Sequence, residues 1–203
     1  MATLSFHETK NIISGEGGAL LINDPRFVDR AEIIWEKGTN RSQFFRGQVD
    51  KYTWMDLGSS YLPGEVVAAF LWAQLQEADA ITRRRLDLWT TYHDSLADLE
   101  DSGKVRRPIV PGTCRQNGHL YHLLLPSLVA RTAFIDRLKA RGIQTVFHYV
   151  PLHSSPRGST IGRTAGAMTH TDFASERLVR LPLWLGLEEH LDAVIAEVIA
   201  ATR

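Results

Sequence analysis

Residues Leu4–Ile22 have the sequence L-S-F-H-E-T-K-N-I-I-S-G-E-G-G-A-L-L-I, in which one lysine stands between two short apolar runs. A glycine-rich cluster at 15–18 separates Lys10 from the second run, 19–22. Glycine permits positive φ angles and close backbone approach, which apolar flanks alone do not require. The stretch therefore predicts a strand, a turn, a glycine-rich bend and a second strand, with Lys10 at the hinge.

Lys10 has two interpretations. A lysine in a loop between two strands is most simply a solvated surface residue. A lysine held beside a buried strand is costly to desolvate, and it is tolerated where its amine is neutral or is used covalently as an imine. The sequence around residue 10 leaves both interpretations open.

The composition is that of a globular protein with no net charge at neutral pH. The 203 residues are enough for one large domain or two small ones with a real core. Acidic and basic residues balance at 23 each, so nothing favours nucleic acid or an anionic membrane surface as a partner. We therefore expect neither of them.

The cysteine content and the apolar runs predict a cytoplasmic protein. The single cysteine, Cys114, leaves no intrachain disulfide and fits a reducing compartment. No run approaches the roughly 20 apolar residues that span a bilayer. The N-terminus also lacks the basic region and apolar core of a signal peptide.

Gly, Pro and Asp divide the rest of the chain into segments. A helix is predicted from Asn23-Asp24-Pro25 to Gly38. Residues 39–55 mix aromatic, basic and amide side chains, which predicts a long binding loop. Helical periodicity then runs from 63 to about 101.

From about residue 102 onward, short strands and helices alternate in the manner of a small α+β domain. Strands are expected at 104–110, 119–125 and 144–150. Helices are expected at 131–140, 173–178 and 191–199. The polar segment 151–171 is expected to be an exposed loop.

Most common catalytic motifs are not found in the sequence. His119 and His122 would point to opposite faces of a strand, and no carboxylate cluster or thiolate pair accompanies them, so no metal site is predicted. No serine lies in a nucleophile elbow, and no phosphate loop of the G-x-x-x-x-G-K type occurs. Lys10 remains as the candidate for covalent chemistry.

Several blocks of sequence occur together along the whole chain. They are Ser5–Asn11 (SFHETKN) with Gly15–Ala19 (GEGGA), Lys37–Phe44 (KGTNRSQF), Asp50–Trp54 (DKYTW), Gly58–Leu62 (GSSYL) with Trp72–Leu75 (WAQL), and His148–His153 (HYVPLH). In this combination the chain resembles the sugar aminotransferases of the DegT/DnrJ/EryC1/StrS family. Those enzymes have fold type I and depend on pyridoxal phosphate.

The resemblance implies an α/β chain that corresponds to the C-terminal part of a fold-type I pyridoxal-phosphate-dependent transferase. Residues 1–62 would be the tail of the large cofactor-binding domain, 63–101 the connecting helix region, and 102–203 the small α+β domain. In the family a long segment precedes the lysine. It supplies a phosphate loop, a ring that stacks on the cofactor, and an acid that pairs with the pyridine nitrogen.

The resemblance also implies roles for three cofactor-binding residues. Lys10 would form the covalent imine with pyridoxal phosphate and later move a proton as general base and acid. Ser5 matches a serine that binds the cofactor phosphate. Ser60 matches a position, commonly asparagine, that reaches the phosphate of the neighbouring subunit's cofactor; its structural alternative is a helix-capping hydroxyl.

Substrate contacts are implied at four further residues. Arg41 or Arg46 would face the diphosphate of a sugar nucleotide, and His148 and Tyr149 would approach the sugar. The structural alternatives are a solvated charge for Arg46 and a strand core residue for Tyr149. The family reaction implies amino transfer from glutamate to a dTDP-4-keto-6-deoxyhexose, for cell-surface polysaccharide synthesis, by a homodimer.

A second hypothesis from another class remains open. The chain would then be a catalytically inactive fragment or an interaction partner that needs a separate N-terminal half. In either case we expect apolar surface around the first strand pair, at Leu4, Phe6, Leu20 and Ile22, to promote self-association.

Overall fold

The computed structural model describes residues 1–202, and these form two compact units. The first unit is Met1–Asp79, and the second begins at Ala80. Among the described residues, no helix has both the length and the apolar character needed to cross a lipid bilayer. The three-part division at residues 62 and 101 remains a prediction.

The first unit opens with an antiparallel hairpin. Its strands are β1 (Ala2–Ser5) and β2 (Gly18–Leu21). Ser5 pairs with Gly18, so the predicted order of strand, turn, bend and strand is confirmed. Side chains alternate between the two faces of the hairpin, and Leu4 and Leu20 lie on opposite faces with 48% and 50% exposure.

A helix follows the hairpin. A 3-10 turn at Pro25–Phe27 leads into α1 (Val28–Trp35). The Asp24 carboxylate caps the turn by accepting the N–H of Arg26 at 3.1 Å, which confirms the predicted start. The apolar face of the helix is not buried within the chain, since Trp35 is 40% exposed.

The predicted loop 39–55 contains a short helix, α2 (Arg41–Phe45). The predicted binding loop is therefore interrupted by a short helix at these five residues. The reason is local, because the Asn40 carbonyl accepts the N–H groups of Gln43 and Phe44 and so starts a helical turn.

Three helices follow almost without interruption. They are α3 (Glu65–Gln76), α4 (Ala78–Ser95) and α5 (Ala97–Asp101). The predicted helical segment 63–101 is confirmed, with breaks at residues 77 and 96. The boundary between the two compact units falls just after the start of α4.

The second unit is built on a three-stranded antiparallel sheet. Its strands are β3 (Tyr121–Leu124), β4 (Val146–Phe147) and β5 (Leu178–Leu181), in the order β3-β5-β4. Tyr121, Leu123, Val179 and Leu181 are buried on one face. They pack in one core with apolar residues of α4, α6 (Leu128–Ala140) and α9 (Leu191–Ala201).

The opposite face of the sheet carries polar side chains. In the register, His122 on β3 and Val146 on β4 both stand opposite Arg180 on the central strand. Because side chains alternate along a strand, these residues point away from the core that holds Tyr121 and Val179.

Two strand predictions in the second unit are too long. The segment 104–110 makes a single bridge, from Arg106 to Leu124, because Pro108 has no N–H to donate to a ladder. The strand expected at 144–150 is reduced to Val146–Phe147, since its partner β5 begins at Leu178 and offers few further residues for pairing.

The helix predictions in the second unit are correct in type and shifted at their ends. Helix α6 begins at Leu128 rather than at residue 131, because the Ser127 hydroxyl accepts the N–H of Ala130 and caps it. The expected loop 151–171 includes α7 (Gly158–Ile161), and α8 (Thr169–Arg177) begins before residue 173.

Candidate active site

Lys10 lies at the tip of the first hairpin. Beyond the two strands, the N–H of Phe6 donates to Gly17 O and the N–H of Glu8 donates to Gly15 O, both at 2.8 Å. The pairing therefore extends up to the tip, where the N–H of Lys10 donates to His7 O at 2.9 Å. The Lys10 side chain is exposed within the chain, and its backbone N–H is held by the bond to His7 O.

Phe6 and Ser14 form the buried base of this tip. Phe6 is 9% exposed, which corrects the prediction that it adds to the exposed apolar surface. The Ser14 hydroxyl donates to Glu16 O at 2.9 Å, and its N–H donates to Phe6 O at 2.7 Å. A Cβ on Gly17 would collide with the Ser14 hydroxyl, so a larger residue there would have to displace this hydroxyl from its hydrogen bond to Glu16 O.

Ser5 lies at the end of β1, five residues before Lys10. Its hydroxyl is exposed and is 3.5 Å from the N–H of His7, at the limit of a hydrogen bond. The imidazole of His7 is held by Thr9, whose Oγ1 lies 2.9 Å from Nδ1. Ser5 thus retains hydrogen-bonding capacity beside the lysine hairpin.

Ser60 is placed by a close crossing of two segments at the end of α1. Ser60 and Glu36 form an isolated antiparallel β-bridge, and the N–H of Lys37 donates to Ser59 O at 3.1 Å. Lys37 itself has a φ of +63°, so the chain turns sharply there. The crossing leaves Ser60 exposed, and the next helix, α3, has Gly64 as its N-cap, so the structural alternative of Ser60 as a helix cap is not observed.

The aromatic loop after this crossing is fixed at both ends. The buried Asn40 accepts the N–H of Thr53 through its Oδ1 at 2.7 Å. Between these anchors, the guanidinium of Arg41 lies 5.0 Å from the ring centroid of Phe45. Arg41 remains available for a ligand, because no carboxylate in the described part of the chain pairs with it.

Arg46 is engaged with a neighbouring helix. Its Nη1 and Nη2 donate to the two carboxylate oxygens of Glu32 at 2.9 and 2.6 Å. The hydrogen bond from Arg46 lowers the pKa of Glu32 below its ordinary value. Arg46 would have to share or leave this pair to bind a diphosphate, which makes Arg41 the better candidate.

His148 and Tyr149 follow β4 in the second unit. Their ring centroids are 5.2 Å apart in an edge-to-face arrangement. Burial lowers the pKa of His148 below 6.5, and the nearby Arg180 adds to this shift. Tyr149 is 70% exposed, so the alternative of a strand core residue does not apply.

The predicted site residues therefore fall into two groups. Those at the hairpin, the crossing and the aromatic loop belong to the first unit: Lys10, Ser5, Ser60, Arg41 and Arg46. His148 and Tyr149 belong to the second unit. The sequence prediction weighs His122 only as a metal ligand and does not single out Arg180, because no strand is predicted at residues 178–181, where β5 lies. Only the pairing of β5 with β3 places the two residues opposite each other.

Comparison with known proteins identifies the class of protein to which this fold and site belong. The profile of the DegT/DnrJ/EryC1/StrS aminotransferase family matches residues 1–199. The chain belongs to this family. Among curated proteins, it is 28% identical over 189 residues to the uncharacterized protein MJ1066 of Methanocaldococcus jannaschii, with 90% of this chain and 48% of that protein covered.

Solved aminotransferases share the fold. DesV of S. venezuelae, in complex with a ketimine intermediate, is 27% identical with a TM-score of 0.85 over 100% of this chain and 52% of its own. TlmJ of Streptoalloteichus hindustanus is 25% identical with a TM-score of 0.84 over 98% and 51%. The chain spans about half the length of these relatives. The predicted α/β fold of part of a fold-type I transferase is confirmed.

Proposed function

We propose that the chain forms part of a pyridoxal-phosphate-dependent sugar-nucleotide aminotransferase. The observation that carries the proposal is the accessible amine of Lys10 on a tightly fixed hairpin, inside the sequence block that resembles the lysine block of the family. A fixed backbone with an accessible side chain suits a lysine that forms a covalent bond and then acts on a substrate.

The groups of the first unit fit the cofactor. Lys10 supplies the primary amine that would hold its aldehyde carbon, and the exposed Ser5 hydroxyl would bind its phosphate. The exposed Ser60 hydroxyl would reach the phosphate of the neighbouring subunit's cofactor. When bound, pyridoxal phosphate would supply an electron sink for the carbon that exchanges the amino group.

Lys10 would also transfer the proton. Its neutral Nζ would accept the proton from the carbon that carries the amino group, and the resulting ammonium would return a proton at the end of the transfer. The hairpin would hold the Cα of Lys10 in place while its side chain rotates to bring Nζ to the reacting carbon, so a single residue serves in both directions.

We further propose glutamate as amino donor and a dTDP-4-keto-6-deoxyhexose as acceptor. The sequence blocks most resemble dTDP-4-amino-4,6-dideoxygalactose transaminase of the enterobacterial common antigen pathway, a cytoplasmic homodimer in our proposal. Arg41 would bind the diphosphate, with Arg46 as a second contact. His148 and Tyr149 would bind the sugar.

The covalent step can be tested without a substrate. Pyridoxal phosphate mixed with the purified chain should give an imine absorbance band near the visible edge, and borohydride should fix the cofactor to Lys10 in a peptide map. Lys10→Ala should lose the band, while the exposed Lys139→Ala should keep it. A band that persists in Lys10→Ala rejects Lys10 as the residue that forms the imine, and no band in the wild-type chain rejects cofactor binding and catalysis by this chain alone.

A non-catalytic interaction partner is the second candidate. The exposure of large apolar side chains in the first unit favours it: Val66 on α3 is 85% exposed, and Trp72 on the same helix is 66% exposed. If the chain shows no imine band alone, co-expression with an N-terminal half of a family member should produce a stable complex. Failure of the two halves to associate would rule out this role.

A further inference from the structure

Three nitrogen-rich side chains share the face of the second unit's sheet that points away from the helical core. His122 on β3 stands opposite Arg180 on the central strand β5, and Val146 on β4 stands opposite Arg180 on its other side. His148 directly follows β4, next to Phe147, whose carbonyl accepts a hydrogen bond from Arg180 Nη2. The sheet register therefore brings together residues that are far apart in sequence.

Arg180 differs from the paired arginines of this unit. Arg84, Arg107 and Arg141 form ion pairs with Glu188, Glu100 and Glu197, respectively. Within residues 1–202, no carboxylate pairs with Arg180, and its buried Nε has no hydrogen-bond acceptor. Its Nη2 donates a long hydrogen bond of 3.4 Å to Phe147 O, and its guanidinium lies 5.6 Å from the ring centroid of Tyr149.

His148 has the same unusual feature. Its Nδ1 is buried and has no hydrogen-bond partner among the described residues. A buried polar atom without a partner is costly, and two such atoms on one sheet face indicate a common acceptor. The Arg180 guanidinium presents its Nε beside an Nη, a pair of parallel donors that matches the two oxygens of a carboxylate or phosphate.

The surroundings of these side chains are electropositive. Burial lowers the pKa of His122 below 6.5, and the neighbouring His148 and Arg106 lower it further. An anion at this face would relieve the repulsion among these groups.

We propose that Arg180, His122 and His148 form an oxyanion-binding site, which takes a carboxylate or phosphate group of a small metabolite. Arg180 provides the charge and the paired donors, and the two imidazoles each provide one further N–H. The identity of the metabolite rests on the proposed function, whose amino donor brings a carboxylate. The alternative source is the diphosphate of the sugar nucleotide, and its binding here would replace the contact proposed for Arg41 and Arg46. The site itself requires neither cofactor nor turnover.

Direct titration of the 203-residue chain tests this site. The arginine Nε–H and histidine ring signals would be followed by ¹⁵N NMR at constant ionic strength, with sodium sulfate, glutamate and thymidine diphosphate as separate probes. We expect saturable shifts at Arg180 and both histidines. Tighter binding of glutamate identifies the carboxylate as the source, and tighter binding of thymidine diphosphate identifies the diphosphate.

Variants separate this site from general charge attraction. Arg180→Gln should lower the affinity for the tighter-binding probe by about tenfold or more. Arg180→Lys should lower this affinity less, because it keeps the charge but loses the paired donors. Arg141→Gln removes one positive charge from a residue that is paired with Glu197, and it should leave affinity within about twofold.

Two results overturn the site: no saturable shift with any probe, or equal weakening in Arg180→Gln and Arg141→Gln. If Arg180→Gln does not fold, the wild-type titration decides. Shifts concentrated at His122, His148 and Arg180 support the site, and shifts spread over unrelated arginines reject it. Failure here leaves the Lys10 imine assay unaffected, so the two proposals fail separately.

Discussion

Gly58 illustrates how a single residue fixes the first unit. A Cβ at Gly58 would collide with the backbone nitrogen of Gly38, and a Cβ at Gly38, whose φ is +79°, would collide with Asp56 O. We expect Gly58→Ala to lower the free energy of unfolding by about 1–3 kcal/mol through overpacking. Chemical denaturation, monitored by tryptophan fluorescence, measures this loss of free energy of unfolding. Gly112→Ala, with no atom within 4 Å of the new Cβ, should change it by less than about 0.5 kcal/mol; equal losses in both variants would contradict the explanation.

The pair of Arg46 and Glu32 allows a test of the diphosphate contact. Because both side chains are partly solvated, Glu32→Gln should cost no more than about 1 kcal/mol of stability. If Arg46 contacts the sugar nucleotide, its release should strengthen thymidine diphosphate binding, whereas Arg46→Gln should weaken it. Calorimetric titration distinguishes these outcomes, and affinity that is unchanged in both variants assigns Arg46 to structure alone.

At the residue scale, the sequence predicts local turns better than it predicts contacts between elements. Lys10 and the glycines around it follow from a local pattern, since the hairpin is formed by neighbouring residues. The ion pair of Arg46 with Glu32 joins residues on different elements, and Arg46 appeared in the sequence as a solvated charge or a ligand contact. Local pattern carries no information on which carboxylate a long side chain reaches.

The start of helix α6 depends on one capping side chain. Ser127→Ala should lower the free energy of unfolding of the second unit by about 1 kcal/mol, because the Ala130 N–H loses its acceptor. Thr132→Ala, on an exposed position of the same helix, should have little effect or stabilise slightly, since its hydroxyl only bonds back to Leu128 O. Thermal and urea unfolding by circular dichroism would measure both; an equal loss in the two variants would exclude the cap as the cause.

The histidines of the second unit's sheet lead us to expect a pH dependence of stability. Burial, with His148 and Arg106 nearby, holds the pKa of His122 below its ordinary value of 6.5. The unfolded chain therefore binds more protons than the folded one as pH falls from about 6.5 through the folded pKa, and stability is lost in that window. Burial also lowers the pKa of His148, so the two histidines act in the same direction.

Unfolding midpoints between pH 8 and pH 5 would check this dependence. The wild-type curve should be flat above about pH 7.5 and fall below about pH 6.5. His122→Gln, which cannot be protonated there, should reduce the fall. His190→Gln, at an exposed position before α9, serves as the control, and a fall of the same size in both variants would remove His122 as its origin.

At the element scale, local signals fix the helices and long-range pairing limits the strands. Asp24 and Ser127 cap the N-termini of their helical segments, as their residue types suggest, although only the Asp24 cap is predicted from the sequence. Strand β4 is shorter than its apolar run because only two of its residues pair with β5. His122 and Arg180 lie 58 positions apart in sequence number, and only the register of that pairing places them opposite each other.

For the whole molecule, the two units differ in how much apolar surface they bury. The core cluster consists of residues from the second unit, where helices cover one sheet face. In the first unit, a hairpin of two strands has apolar side chains on both faces, as expected of strands that belong inside a larger sheet. The resemblance to a family predicted this difference, whereas composition did not, because the hydrophobic fraction is an average over both units.

Self-association is the consequence of this surface. Leu4 and Leu20 expose about half of their side chains on opposite faces of the hairpin, and strand edges with such neighbours pair with other chains. Sedimentation velocity should show a weight-average sedimentation coefficient that rises with protein concentration. The double variant Leu4→Lys with Leu20→Lys should shift the chain towards monomer, because charged side chains oppose edge pairing. Val129→Lys, at a 78% exposed position of α6, should not have this effect. A wild-type chain that stays monomeric at tens of micromolar would show that these faces are not adhesive, and it would leave the covalent assignment of Lys10 untouched.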